Sequence, residues 1–277
     1  MPSTYTPLRY PGGKTKLYDF VKRILQSNNI LGHVYCEPFA GGAGLALKLL
    51  LKNDVSRIII NDADPAIYAF WNSVLNRPEE LCRFIDGVAI GVDEWEHQRA
   101  IYFNVGDGVE IDLACATLFL NRTNVSGVIT GGVIGGKNQT GKYKMDARFN
   151  REDLKRKIRT IAMQRDRIEL YNLDVLDFMN TILAERKDDI FVNFDPPYVN
   201  KGGQLYKNSF TSDDHRVLRN HIRNFNKKWI VTYDVCDLIE ELYTEFRGGK
   251  ISIYYSANDV RKAEEFVFYS NDLIIPE

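Results

Sequence analysis

The chain has 277 residues, 44% of them apolar and 26% charged, and its 36 Lys and Arg nearly balance 37 Asp and Glu for a net charge of −1. This is the composition of a globular protein with one large α/β domain, or a domain carrying a sizeable insertion. It gives no global charge signal for nucleic acid, and without a run of about 18 apolar residues it offers no transmembrane helix.

The amino-terminal residues Met-Pro-Ser-Thr-Tyr-Thr-Pro lack the basic and apolar regions of a secretory signal. Cys36, Cys82, Cys115 and Cys236 are scattered without a Cys-x-x-Cys pair, which suits free thiols in a reducing, cytoplasmic compartment. His33, His97, His215 and His221 form no ligand spacing with them, so no metal site is expected. Next comes Leu8-Arg9-Tyr10-Pro11-Gly12-Gly13-Lys14-Thr15-Lys16. It faintly resembles a phosphate-binding loop, but Leu8 stands where the first glycine belongs and no strand clearly precedes it. A lysine after a tight glycine turn could instead hold a carboxylate, with Tyr10 flanking a ligand.

The pattern predicts a strand over 34–40, a turn at Gly41-Gly42-Ala43-Gly44, a helix over 45–52 and a second strand over 57–61 that ends at Asp62. Glycines there let the backbone approach a ligand, and the helix start supplies free N–H groups. A carboxylate about 20 residues beyond the glycines can accept from a ribose diol. The arrangement alone would also admit a nicotinamide dinucleotide. The spacing is not Gly-x-Gly-x-x-Gly, however, and the acid Glu37 precedes the turn where a diphosphate would be repelled. A cationic adenosine bearing a methionine tail is the better electrostatic match.

Helices are predicted over 65–76 and 78–86, after which the rhythm fails between 87 and 150. That stretch has a helical piece at 93–104, an apolar run at 111–120, and a loop rich in glycine (127, 131, 132, 135, 136 and 141). A loop this long is usually functional or part of an insertion. The organisation is therefore a catalytic core of 1–67 and 166–277 interrupted by an inserted region over 68–165. From Lys137 to Arg167 eleven basic residues face four acids, a local excess of +7 over 31 residues. Two readings stand: a footprint for a phosphate backbone, or the solvated face of a helix over 152–167.

Strand 168–173, helix 174–186, strand 190–194, helix 213–226, strand 228–233 and helix 235–244 follow, and strands near 250–255 and 265–270 could form an edge hairpin. Strands alternating with helices give a doubly wound, mostly parallel sheet. The strand at 190–194 runs into Asp195-Pro196-Pro197-Tyr198. Proline lacks an N–H donor, so the strand stops at Asp195. That places the acid at a carboxyl-terminal strand edge, where open α/β sheets bind ligands. A carboxylate, the Pro196 carbonyl and the flat face of Tyr198 suit a planar ring bearing an amino group.

These pieces occur in one order: Tyr10-Pro-Gly-Gly-Lys14, Glu37-Pro-Phe-Ala-Gly-Gly-Ala-Gly44, Asn61-Asp62, Leu120-Asn121-Arg122-Thr123 and Asp195-Pro-Pro-Tyr198. The order and spacing resemble the Dam-type family of DNA adenine-N6 methyltransferases. Tyr206-x-x-x-Phe210, Asp214-His215, Thr232-Tyr233-Asp234 and Arg261-x-x-Glu264-Glu265 agree with it. The resemblance implies a Rossmann-like methyltransferase sheet, S-adenosyl-L-methionine as cofactor and duplex DNA as partner. It also implies that Tyr10, Lys14, Glu37, Phe39, Gly41, Gly42, Asp62, Asp174 and Asp195 line the cofactor, with Lys14 near its carboxylate and Asp62 on the ribose. For Asp174 the neighbouring Asp177 is an alternative, and either acid could simply cap a helix. Asp195, Pro196 and Tyr198 would receive the target adenine, flipped out of the duplex because its amine is inaccessible inside it.

Asn121, Arg122, Asn124, Val125, Ser126, Lys137, Lys142, Lys144 and Arg148 are the nucleic-acid candidates. Relatives that read GATC carry an aromatic-Asn-Gly after Asn-Arg-Thr and then a nearby guanine-contacting Arg. Here Val125 and Ser126 replace the aromatic-Asn pair, and no arginine follows before Arg148. GATC reading is therefore not implied. An aliphatic residue can still wedge between bases. The expected host is a bacterial or phage-infected cell, with a cognate restriction endonuclease as a further partner. Three other readings remain: an RNA adenine enzyme, a cytosine-N4 enzyme, and a silent DNA-binding protein on the same fold.

Overall fold

The computed structural model describes residues 4–10, 13–104, 110–199, 210–256 and 260–276. Its strands in chain order are β1 (Val34–Glu37), β2 (Arg57–Asn61), β3 (Ile168–Tyr171), β4 (Ile190–Phe194), β5 (Lys228–Asp234), β6 (Arg247–Ser256) and β7 (Val260–Tyr269). The helices are α1 (Tyr18–Ser27), α2 (Gly44–Leu51), α3 (Pro65–Asn76), α4 (Pro78–Gly87), α5 (Val92–Phe103), α6 (Glu110–Thr123) and α7 (Arg151–Ala162). They continue with α8, which begins at Val175–Asp177 and widens into a π-turn at Phe178–Leu183, then α9 (Ser212–Arg223) and α10 (Asp237–Leu242). The chain divides into two compact units, Met1–Gly13 with Asp64–Asp166, and Lys14–Ala63 with Arg167–Glu277.

The second unit is the sheet. Its seven strands lie in the order β3-β2-β1-β4-β5-β7-β6. The first five are mutually parallel, and β7 and then β6 add antiparallel at one edge. The strand order reverses between β1 and β4, the switch point where doubly wound sheets open a ligand crevice. Central strands read as nearly continuous apolar runs because helices cover both faces. Cys36, Val192 and Phe194 pack with Phe178, Leu218 and Ile222 of α8 and α9. Side chains alternate across the sheet, so Tyr35 and Phe191, stacked with centroids 6.1 Å apart, belong to the opposite face. Glu37 and Asp195 share that parity.

Several predicted boundaries shift for local reasons. β1 ends at Glu37 rather than at 40, because Pro38 has no N–H to continue the ladder. The helix predicted over 174–186 becomes the α/π element α8. The strand predicted over 168–173 stops at Tyr171, where Asn61 takes over: its side-chain amide donates to the Leu173 carbonyl at 3.0 Å and accepts from the Leu173 N–H at 3.0 Å.

The other unit is helical. α6 runs through its centre, buried from Leu113 to Leu120, with α3 and α5 packed on it and α4 on α7. A helix apolar on every side shows no amphipathic stripe, which is why 111–120 reads only as an apolar run. This unit begins at Asp64, whose carboxylate caps α3 by accepting from the Ala66 N–H at 2.9 Å, and it also takes in the chain start up to Gly13. Among the described residues no helix is long and apolar enough to cross a membrane.

Candidate active site

At the carboxyl end of β1, Glu37 is buried and meets the first turn of α2. Its Oε1 accepts from the Ala46 N–H at 3.1 Å and from the Tyr35 hydroxyl at 3.0 Å. A helix start favours an anion. Burial nevertheless dominates, and with the nearby Asp195 charge it pushes the Glu37 carboxyl up to about 8. The turn that follows is tight: Gly41 and Ala43 both take left-handed backbone, each with φ of 45°. The Gly41 N–H donates to Asp62 Oδ2 at 2.7 Å, which fixes the carboxylate at the end of β2 under the glycine turn. Asn61 stitches the neighbouring strand ends, donating to the Pro38 carbonyl at 3.0 Å. Gly42 is buried in this turn, and Phe39 packs edge-on against Phe210 with centroids 5.8 Å apart. Asp174 is exposed and caps α8 by accepting from the Leu176 N–H at 2.8 Å.

Across the switch point β4 delivers Asp195. Its Oδ1 lies 3.0 Å from the Lys14 Nζ and accepts from the Thr232 hydroxyl of β5 at 2.9 Å. Burial pushes the Asp195 carboxyl up while the Lys14 ammonium holds it down. Lys14, itself buried, donates to the Tyr198 hydroxyl at 2.7 Å and lies 3.0 Å from Glu265 Oε2. The Tyr198 hydroxyl in turn donates to Glu265 Oε1 at 2.8 Å. Pro196 is buried between them in sequence, and the Val199 N–H donates to Asp234 Oδ1 at 3.1 Å. Lys14, Asp195, Pro196, Tyr198, Glu37, Gly41, Gly42 and Asp62 thus belong to one unit and its carboxyl-terminal strand edge, whereas Tyr10 belongs to the helical unit.

Glu265, Thr232 and Tyr35 carry no assigned role in the sequence. The signals for Glu265 are its place in Arg261-x-x-Glu264-Glu265 and as the acid opening the apolar run Phe266-Val267-Phe268-Tyr269. Other motif residues turn out to have local duties. Asp214 returns a hydrogen bond in a capping box with Thr211 at the start of α9, and the buried His215 bonds the Tyr233 hydroxyl at 3.0 Å. Tyr206 lies outside the described residues.

In the helical unit the nucleic-acid candidates divide. Asn121 and Asn124 are fully buried, so they do not face a ligand as the sequence suggested. Asn121 accepts from the Arg9 N–H and donates to the Arg9 carbonyl, both at 2.7 Å, and donates to the Gly127 carbonyl at 2.8 Å. Asn124 accepts from the Trp95 indole at 2.6 Å and donates to the carbonyls of Val128 and Ile129 at 3.0 and 2.8 Å. Both amides therefore shape the loop that follows them. Its tip presents Val125, 51% exposed, and Ser126, exposed in left-handed backbone at φ 57°. Gly127, at φ 80°, has no substitute, since a Cβ there would stand 2.2 Å from the Arg9 carbonyl oxygen.

The basic stretch divides too. Lys137 pairs with Glu96 at 2.5 Å, Lys155 with Asp86 at 2.6 Å, and Arg159 with Glu79 at 2.7 Å, while Arg156 and Lys157 pair with Asp153. The α7 portion is thus largely neutralised within its own unit, as the solvated-helix reading had it. Lys144 bonds the Gln139 carbonyl, and Lys142 and Arg148 lie over the Tyr143 ring at 5.7 and 5.9 Å. Arg122 donates to the carbonyls of Arg148 at 2.6 Å and Pro7 at 3.4 Å, and burial beside Arg9 pushes its guanidinium down to about 10. Arg9 is lowered by burial and by Arg148. Like charges thus crowd Arg9 and Arg122, an arrangement that an anion would relieve, and Arg9 is the member the sequence did not single out.

A family model for D12 class N6 adenine-specific DNA methyltransferases matches residues 10–257. The chain belongs to this class. The D12-class chain is 26% identical over 269 residues to the type II methyltransferase M.MjaIII of Methanocaldococcus jannaschii, covering 88% of this chain and 89% of that one. It is 23% identical over 266 residues to the type II methyltransferase M1.LlaDCHI of Lactococcus lactis subsp. cremoris, with 88% and 86% covered. Among solved structures it resembles PH1948 of Pyrococcus horikoshii at a TM-score of 0.42 and 11% identity, covering 97% of this chain and 87% of that one. This D12-class methyltransferase is a DNA adenine-N6 enzyme, and its methyl donor is S-adenosylmethionine.

Proposed function

We propose that the enzyme methylates N6 of an adenine flipped out of a specific site in duplex DNA, by direct in-line displacement and without a covalent enzyme intermediate. The observation that carries this reading is the Asp195 carboxylate. Its Oδ1 is engaged by Lys14 and Thr232, and among the described residues its Oδ2 accepts no hydrogen bond. Adenine N6 is a poor nucleophile because its lone pair is delocalised into the ring. Hydrogen bonds from its two N–H groups to Asp195 Oδ2 and the Pro196 carbonyl favour a pyramidal nitrogen with lone-pair character. Tyr198 stacks on the ring, at roughly 1–3 kcal/mol per base, which is comparable to the few kcal/mol that flipping costs. Positioning and electrostatics supply the rate.

The residues of the switch point fit the donor. When bound, S-adenosylmethionine supplies an electrophilic methyl group on a cationic sulfonium. Asp62, fixed by Gly41, suits the ribose hydroxyls, and Glu37 suits the ammonium of the methionine portion. Phe39, Gly41 and Gly42 would line it, while Asp174, Tyr10 and Lys14 complete the proposed set. Lys14 has a second use here, since its ammonium is the countercharge of Asp195.

The tip Val125–Ser126 serves as the wedge that enters the base stack, and Arg9, Arg122, Lys142, Lys144 and Arg148 position phosphates, which carry no sequence by themselves. A recognition sequence other than GATC and a cognate nuclease acting on it complete the proposal, the latter suggested by the two type II relatives. Incubation with labelled donor and unmethylated genomic DNA, followed by mapping of modified bases, tests it. Modified adenine within one recurring sequence is the expected result. Label confined to RNA or to cytosine would refute it.

A further inference from the structure

The geometry points to Glu265 as a positioning residue: it takes up the Lys14 ammonium and the Tyr198 hydroxyl so that Asp195 can turn to the target amine. This rests on the active-site reading above, in which Asp195 receives adenine N6. Glu265 lies on β7 directly across from Asp234 of β5 and is 3% exposed. An ionised carboxylate is tolerated at that depth only when paired and hydrogen-bonded. Its two oxygens supply both needs: Oε2 lies 3.0 Å from the Lys14 Nζ, and Oε1 accepts from Tyr198 at 2.8 Å. Lys14 stands at the same 3.0 Å from Asp195. One ammonium is therefore shared by two carboxylates at equal distance.

That equality has a consequence for substrate entry. A neutral amine at Oδ2 meets a carboxylate whose Oδ1 an ammonium already holds. The more of that ammonium's charge Asp195 carries alone, the weaker an acceptor Oδ2 becomes, and breaking a buried ion pair is costly when a charge is left alone. With Glu265 present, Lys14 leans toward a carboxylate it already touches, and no charge is stranded. If the Glu265 charge is removed while its shape is kept, the ammonium falls to Asp195 and opposes the incoming amine. The β5–β7 ladder fixes this arrangement, because Asp234, opposite Glu265, also holds the Val199 N–H just past Tyr198.

The test is a double-mutant cycle on the full-length enzyme with Glu265→Gln, Lys14→Met and the pair. Single-turnover methylation of unmethylated genomic DNA is measured beside DNA affinity in the presence of S-adenosylhomocysteine. Glu265→Gln retains an acceptor for Tyr198, so a merely structural role predicts little change. The positioning role predicts a loss of about 100-fold in the methylation rate. It further predicts that adding Glu265→Gln to Lys14→Met changes the rate by no more than about twofold. If Lys14→Met is too slow to time, the same non-additivity is read from the four DNA affinities. A Glu265→Gln enzyme as fast as wild type, or a loss that persists undiminished without Lys14, overturns the inference. In either case a wild-type enzyme that methylates adenine leaves the functional reading standing, whereas a wild-type enzyme inert on DNA defeats that reading first.

Discussion

With the donor's ammonium placed against Glu37, as proposed above, cofactor binding should release a proton. Burial, reinforced by the Asp195 charge, raises its carboxyl to about 8 in the cofactor-free enzyme. At pH 7 such a group is only about one-tenth ionised. An ammonium placed against it favours the charged form and lowers the bound-state value. Binding therefore removes a proton below pH 8, and affinity rises with pH until Glu37 is ionised in the free enzyme as well. The ionised fraction grows about 25-fold between pH 6.5 and 8.5, and the dissociation constant for S-adenosylhomocysteine should tighten by the same factor. Calorimetric titration across that range, in buffers of different ionisation enthalpy, reads both the slope and the proton released. Glu37→Gln should flatten the profile and abolish the buffer dependence. The stability of the cofactor-free protein carries the opposite sign: the folded state holds a proton that the unfolded chain has lost above about pH 4.5, so this group's contribution falls as pH rises toward 8. The difference between wild type and Glu37→Gln should widen by up to about 5 kcal/mol over that window. A flat wild-type affinity profile, or an equal slope in the glutamine variant, would refute the reasoning.

Tyr198→Ala should slow turnover on duplex DNA by about 10- to 100-fold through lost stacking, with donor affinity little changed. Tyr198→Phe, which keeps the ring and loses the bond to Glu265, should fall between the two in the same assay. Asn121→Ala leaves the part-buried backbone groups of Arg9 and the buried Gly127 carbonyl without this partner, and denaturant unfolding should show a loss of about 2–4 kcal/mol. Replacing Arg148 or Lys142 by alanine should reduce the slope of log affinity against log salt by about 1 each. Lys155→Ala, whose ammonium is already paired with Asp86, should leave that slope unchanged.

Much of the sheet is legible in the sequence because each strand that carries a candidate site residue announces its own end. Glu37 is followed by Pro38, Asp195 by two prolines, and the apolar run Ile58-Ile59-Ile60 closes on Asn61-Asp62. No element is predicted over 14–27, yet Lys14–Leu17 forms a 3-10 turn that leads into α1. Leu17 stands at the N-cap with no side-chain acceptor, so the usual start signal is missing. The basic run from Lys137 to Arg167 misleads for a different reason. Its charges are local in sequence, but the acids that neutralise them (Glu79, Asp86 and Glu96) come from α4 and α5, some 40 to 80 positions away.

The same distinction separates what the active-site motif reveals from what it hides. Asp195-Pro-Pro-Tyr198 contains the atoms proposed to meet adenine, so a linear string is enough to find them. What partners Asp195 and orients Tyr198 comes from the other ends of the chain: Lys14, 184 positions before Tyr198, and Glu265, 67 positions after it. Only the register of β5 against β7, which sets Asp234 opposite Glu265, brings the second acid to the motif. If Lys14 served the donor alone, nothing would require a second buried carboxylate at 3.0 Å from its ammonium. A lysine poised between two acids is instead what a site needs when one acid must be released to a neutral amine without leaving a bare charge in the core.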